Sequence, residues 1–148
     1  MTLPPSPSLE QSPIDRNEDG VRGTEAVNPA DTLDEKALDK LRELDPTGKN
    51  GLLDRVFKAF DSSAVRLMGQ LAEARVSNDM HGIRHVTHTL KSSSASIGAL
   101  RLSRLCADIE SMVRQSHSDG LPERLVELDA EVEVVLAAVR AMQQGGAR

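Results

Sequence analysis

The feature that most constrains the fold is the spacing of the apolar residues, which recur at steps of three and four from Leu33 to Met142. This spacing places them along one face of an α-helix, whereas a half-buried β-strand would alternate at every second residue. No stretch shows sustained alternation or a high density of β-branched residues. The pattern therefore predicts an all-α fold.

Caps and helix breakers divide this pattern into one short helix and four longer ones. The predicted helices are Leu33–Leu44 after a Thr32 cap, Gly51–Arg75 opened by Asn50, Asn78–Ile97, Ala99–His117, and a last helix from about Pro122 to Gln143. Helices of roughly 20 residues are about 30 Å long, and short connections favour antiparallel neighbours. We expect an antiparallel up-down-up-down four-helix bundle with a short additional N-terminal helix.

The N-terminal segment differs in composition from the rest of the chain. Residues 1–31 hold five of the seven prolines among Ser, Asp, Asn and Gly, and their apolar residues are too sparse to form a core. We expect residues 1–31 to be a disordered tail and residues 32–144 to be one helical domain.

Composition excludes several classes of function. The net charge is −5 and aromatic residues make up 1% of the chain, so neither phosphate attraction nor base stacking favours a nucleic-acid partner. No signal peptide or membrane-spanning run is visible, and Cys106 is the only cysteine. Glycine-rich phosphate loops and nucleophile elbows are also absent from the sequence. We expect a cytoplasmic monomer that binds neither membranes nor nucleic acid, and is not an enzyme.

The third predicted helix carries the candidate site. Its inward stripe is formed by Ile83, Val86, Leu90 and Ile97. At about 100° per residue, His88 falls roughly 160° from the centre of that stripe, so its imidazole should face water. Ser92 lies one turn further along the same face, and Lys91 is three residues from His88, within reach of a group attached to the ring.

A histidine in this setting is suited to carrying a phosphoryl group. An imidazole in water is substantially unprotonated at neutral pH, so a ring nitrogen can attack phosphorus without a dedicated base. The phosphorylated ring gains up to about two negative charges, which a nearby lysine offsets. Phosphoryl transfer depends mainly on alignment and on charge stabilisation by a metal ion, and no acidic pocket that would hold such an ion is evident here. We expect no cofactor on this chain and Mg²⁺ in a partner.

The segment from His88 to Ala99 reads His-Thr-Leu-Lys-Ser-Ser-Ser-Ala-Ser-Ile-Gly-Ala and is followed by Leu102, Leu105, Cys106 and Ile109-Glu110. It resembles the signature of histidine-phosphotransfer (HPt) domains, four-helix bundles that shuttle phosphoryl groups between aspartates of receiver domains in two-component phosphorelays. The resemblance implies that His88 is the phosphoacceptor, Lys91 its charge partner, and Gly98-Ala99 a tight turn or close packing point. It implies response-regulator receiver domains and a hybrid histidine kinase as partners.

One position departs from the family pattern, and the surrounding surface allows other interpretations. The family usually has glycine four residues after the phosphoacceptor, where this chain has Ser92. Further cations could attract an acidic receiver pocket, and near-site candidates are Arg84, His85, Arg101 and Arg104. His81, His85 and His88 have a spacing that could hold a metal ion, but no fourth ligand is apparent, and we assign no metal.

Two alternatives to a phosphocarrier remain open from the sequence. The first is a helical interaction domain that binds and regulates a receiver or histidine kinase without being phosphorylated. The second is a metal-binding bundle that uses the three histidines of the third helix.

Overall fold

The computed structural model describes residues 32–146, with side chains described as far as residue 143; the predicted tail, residues 1–31, lies outside the described residues. From residue 35 to residue 146 the chain forms five α-helices and no β-strand. Their bounds are α1 Glu35–Glu43, α2 Leu52–Val76, α3 Met80–Ser96, α4 Leu100–Arg114 and α5 Leu121–Gly146. The predicted all-α class is confirmed, although α5 continues three residues beyond the predicted Gln143.

Three of the helices end in the same way. The residue after each C-cap has a positive φ, and these residues are Asn78 (56°), Gly98 (81°) and Ser116 (57°). The next residue then donates its N–H to a carbonyl five residues earlier, in bonds of 2.8 to 2.9 Å at Asp79, Ala99 and His117. This is the Schellman arrangement, which satisfies carbonyls left unpaired at a helix end.

This shared ending explains two errors in the predicted bounds. Asn78 does not cap α3, because it terminates α2; the N-cap is Asp79, whose carboxylate accepts from the Gly82 N–H at 3.0 Å. Similarly, α4 ends at Arg114 rather than His117, because Ser116 takes the left-handed conformation.

The starts of α1 and α2 also differ from the prediction. Asp34, not Thr32, caps α1 by accepting from the Ala37 N–H at 3.2 Å. Gly51 is the N-cap of α2, and the carboxylate of Asp45 accepts from the Leu52 N–H at 3.1 Å. Asn50 therefore donates to Asp45 instead of capping the helix itself.

The cross-helix pairs agree with an antiparallel bundle. Asp61, in the first half of α2, pairs with Arg140 near the end of α5 at 2.8 Å, whereas Arg75 at the end of α2 pairs with Asp129 in the first half of α5. Each long helix packs on the next, and α5 packs back on α2. Among the described residues, the buried apolar side chains are aliphatic apart from Phe57, Phe60 and Cys106.

Helix α1 lies against the end of the bundle where α3 turns into α4. The Asp34 N–H donates to the Gly98 carbonyl at 2.8 Å, and a Cβ on Gly98 would meet the Asp34 nitrogen at 2.7 Å. Glycine is required there both for the positive φ and for this close approach. No helix in the described part combines the length and apolar character needed to cross a membrane.

Candidate functional site

Helix α3 presents His88 on the outer surface of the bundle. Ile83, Val86 and Leu90 of the same helix are buried in the core, which fixes the rotation of the helix about its axis. The His88 side chain is 64% exposed, and its ring is therefore accessible from solvent on one side. This is the placement that the apolar stripe of α3 requires.

The inner side of the ring contacts a buried carboxylate on α4. Glu110 is 4% exposed, and its Oε2 lies 2.8 Å from Nδ1 of His88. Its other oxygen, Oε1, accepts from the Lys91 ammonium at 2.7 Å. Helices α3 and α4 thus hold the three side chains together, with Glu110 between a ring and a cation.

The electrostatics of this cluster keep Glu110 ionised. The hydrogen bond from Lys91 lowers the pKa of the Glu110 carboxyl below its ordinary value, and the contact with His88 lowers it further, against the opposing effect of burial. A buried carboxylate is costly without such partners. The carboxylate is therefore a charged acceptor at neutral pH.

An ionised carboxylate fixes the proton on the imidazole. It can only accept hydrogen bonds, so the neutral ring of His88 must carry its proton on Nδ1 to make the 2.8 Å contact. Nε2 then has an unprotonated lone pair. None of the hydrogen bonds among the described side chains engages Nε2, so this lone pair is available to an incoming electrophile.

A shallow cleft of about 250 Å³ surrounds the ring. It is lined by His81, Arg84, His85, His88 and Glu110. Arg84 and His85 are exposed, so the N-terminal side of the site carries a cation and two further imidazoles. Arg101 does not contribute to this cleft, because its guanidinium donates to Glu131 of α5 at 3.1 Å. Arg104 is exposed on α4 but is not part of the cleft lining.

The remaining predicted residues lie on the C-terminal side of His88. Ser92 is exposed one turn beyond the ring, and its carbonyl accepts from the Ser96 hydroxyl at 3.1 Å. Gly98 and Ala99 form the buried turn between α3 and α4, where Gly98 contacts α1 through Asp34. These two residues position the helices and do not touch His88.

The structure gives no support to the metal-binding alternative. Within the described part of the chain, no three His, Cys, Asp or Glu side chains come close enough together to hold a metal ion. His81, His85 and His88 share the cleft, yet Nδ1 of His88 is engaged by Glu110.

Glu110 is a site residue that the sequence analysis does not predict, although the sequence carries a signal for it. Glu110 lies on the same face of α4 as Cys106 and Val113, four and three residues away, so it occupies a core position. A carboxylate on an apolar stripe must have a charged or hydrogen-bonding partner. The cationic side chains of α3, such as Lys91, were the available candidates for that partner.

A family model described as Hpt domain matches residues 55–138. The crystal structure of histidine-containing phosphotransfer protein B (HptB) from Pseudomonas aeruginosa PAO1 is similar, with a TM-score of 0.68 and 21% sequence identity over 76% of this chain and 95% of that chain. At this identity the similarity concerns the fold. A search of curated proteins finds no match.

Proposed function

This chain belongs to the Hpt domain family, and on that premise we propose that it is a histidine phosphocarrier that relays a phosphoryl group between aspartates of receiver domains through His88. The observation that carries the proposal is the orientation of one ring. The imidazole of His88 is largely exposed, while its Nδ1 is held by the buried carboxylate of Glu110.

The proposed reaction needs no proton transfer. The Nε2 lone pair of His88 attacks the phosphorus of a phospho-aspartate, and a bond from Nε2 to phosphorus forms. The bond from phosphorus to the aspartyl oxygen breaks, and its electron pair returns to the partner's carboxylate. The ring becomes positively charged while it retains its Nδ1 proton. Glu110, ionised and 2.8 Å away, stabilises that charge, and return of the phosphoryl group reverses each step.

The charges near His88 suit the arriving group. The phosphoryl group is anionic, and Lys91 lies one turn from His88 on α3 with its ammonium 2.7 Å from the shared carboxylate. Arg84 supplies a second cation at the cleft. We infer that Lys91 stabilises the phosphorylated state and that Arg84 and His85 contact the acidic surface of the partner.

The partner must supply the rest of the chemistry. The proposal assigns Mg²⁺ to the receiver domain and no cofactor to this chain, since the residues around His88 are cations, imidazoles and one carboxylate already in use, whereas Mg²⁺ prefers oxygen ligands. The carrier has no kinase activity of its own in this account. The proposed partners are response-regulator receivers and a hybrid histidine kinase. We propose that the chain binds them as a monomer in the cytoplasm. Its single cysteine is compatible with that reducing compartment.

Transfer from phosphorylated receivers tests the proposal. The purified chain is incubated with each candidate phospho-receiver, next to His88→Gln and a matched control, His117→Gln, which removes an exposed imidazole outside the cleft. We expect acid-labile, alkali-stable phosphate on the wild type and on His117→Gln, and none on His88→Gln.

Two outcomes would overturn the proposal. Phosphate on the His88→Gln variant would mean that the acceptor is another residue. Absence of transfer from every receiver, with unchanged regulation of a partner by His88→Gln, would identify a binding domain that is not phosphorylated.

A further inference from the structure

The carboxylate of Glu110 has three cationic or potentially cationic neighbours, and one of them, Arg114, has no role in the proposed function. Oε1 is bonded by Lys91 at 2.7 Å and Oε2 by His88 at 2.8 Å. The guanidinium of Arg114 approaches Oε2 to 4.0 Å from the next turn of α4. The Arg114 side chain is 53% exposed and makes no shorter ion pair among the described residues.

After phosphorylation of His88, two anionic groups would compete for the Lys91 ammonium: the phosphoryl group and the carboxylate of Glu110. The new charge develops at Nε2, on the solvent side of the ring, whereas Lys91 is bound to Glu110 behind it. A lysine side chain is long and its ammonium forms no fixed fork, so Lys91 can move to the phosphoryl group. That movement would leave Glu110, which is 4% exposed, with one close countercharge, the phosphorylated ring, where two cations would otherwise contact it.

Arg114 lies close enough to Glu110 to replace Lys91 as its ion-pair partner. Its i to i+4 relation to Glu110 keeps the two side chains adjacent on one helix. A small side-chain rotation would close the 4.0 Å gap, and a guanidinium can donate two hydrogen bonds to one carboxylate. Arg114 can therefore neutralise Glu110 when Lys91 leaves.

We propose that Arg114 is a positioning residue for the phosphorylated state, which takes the place of Lys91 at Glu110 and so releases Lys91 to bind the phosphoryl group. Arg114 itself does not contact the phosphoryl group. This inference rests on the proposed function, because it requires phosphate on His88. Before phosphorylation Lys91 neutralises Glu110, and Arg114 should have little influence.

The test uses the full chain and potassium phosphoramidate as a chemical donor, so no partner is needed. Nε2 attacks the phosphorus, the bond from phosphorus to nitrogen of the donor breaks, and ammonia leaves with its electron pair. The ³¹P resonance of the phosphohistidine is then titrated with pH in the wild type and in Lys91→Met, Arg114→Gln, Arg114→Lys and the Lys91→Met/Arg114→Gln double variant. Arg101→Gln is the matched control, an arginine removed from the same helix but paired with Glu131.

A cation bound to the phosphoryl group lowers the pH at which that group titrates. Loss of one charge at about 4 Å should raise the titration midpoint by roughly half a unit to one unit. We expect this rise in Lys91→Met and in Arg114→Gln, but not in Arg114→Lys or Arg101→Gln. The double variant should titrate like Lys91→Met alone, since Arg114 acts through Lys91.

The outcomes separate the two proposals. If the wild type acquires no phosphate on His88, the proposed function fails and this inference fails with it. If phosphohistidine forms and Arg114→Gln titrates like the wild type, only the role of Arg114 is overturned. Additive shifts in the double variant would also overturn it, because they would show that Arg114 acts on the phosphoryl group directly. Equal thermal midpoints of unphosphorylated wild type and Arg114→Gln verify that the fold is intact.

Discussion

Replacing Glu110 with glutamine should invert the proton position on His88. The Lys91 ammonium can only donate, so it will take the amide oxygen of the new side chain. The amide NH₂ then faces Nδ1 of His88, which must accept, and the ring proton moves to Nε2. The nucleophilic lone pair is thereby lost from the exposed side of the ring.

The size of the effect follows from the exposure of the ring. Hydrogen bonds to charged groups contribute about 1.5 to 3 kcal/mol when buried. The His88 side chain is 64% exposed, so solvent screening reduces this contribution. For a pair screened by solvent, we take the contribution of the Glu110 contact to the tautomer preference as about 1 kcal/mol. If this amount is added to the activation free energy, the phosphorylation rate falls roughly fivefold.

Two measurements check this prediction. Long-range ¹⁵N–¹H spectra of the neutral ring report which nitrogen carries the proton, and the rate of phosphorylation by phosphoramidate reports reactivity. The matched control is Glu131→Gln, which neutralises a carboxylate whose partner is Arg101. If Glu110→Gln keeps the wild-type tautomer and rate, the argument that Glu110 orients the nucleophile is refuted.

The remaining predictions concern the fold and its charges. Gly98→Ala should lower the free energy of unfolding by about 2 kcal/mol or more in urea titrations, since a Cβ there combines a positive φ with a 2.7 Å contact to Asp34. Gly48→Ala, where φ is 73° but nothing lies within 4 Å, should cost only about 1 kcal/mol; equal losses would contradict the close-contact argument. Burial raises the pKa of the Cys106 thiol to about 12, so a thiol reagent should modify it only after unfolding; rapid labelling of the native protein would show that the thiol is accessible. Because folding lowers the pKa of Glu110, the ionised carboxylate stabilises the fold fully at pH values above the ordinary glutamate pKa. This stabilisation is lost as the pH falls through the lowered pKa of the folded state. Unfolding monitored from about pH 6 to 3 should therefore show a steeper loss for the wild type than for Glu110→Gln, and parallel curves would contradict the assignment.

The class of the fold and the rotation of α3 could be predicted from periodicity alone. Apolar residues at steps of three and four determine which face of a helix is buried, so the exposure of His88 follows from Ile83, Val86 and Leu90. Helix ends were less predictable. Asn78 is compatible with either a cap or a left-handed terminus, and only the packing of the following helix decides between them.

The arrangement around His88 required tertiary structure. The partner of Lys91 lies 19 residues away on another helix, so helical spacing within α3 could not reveal that the ammonium is held by Glu110. The same limit applies to Arg101, whose guanidinium is directed to α5 rather than to the site. Pairs of this kind depend on the register between helices, which a single sequence does not specify.

The central claim is that Nε2 of His88 accepts the phosphoryl group. It is tested most directly by transferring phosphate from a phospho-receiver to the ¹⁵N-histidine-labelled chain and assigning the modified nitrogen from ³¹P–¹⁵N coupling. The account predicts one phosphorylated residue, His88, with the bond at Nε2 and the proton kept on Nδ1 beside Glu110. A bond at Nδ1, or phosphate on His81 or His85, would contradict it.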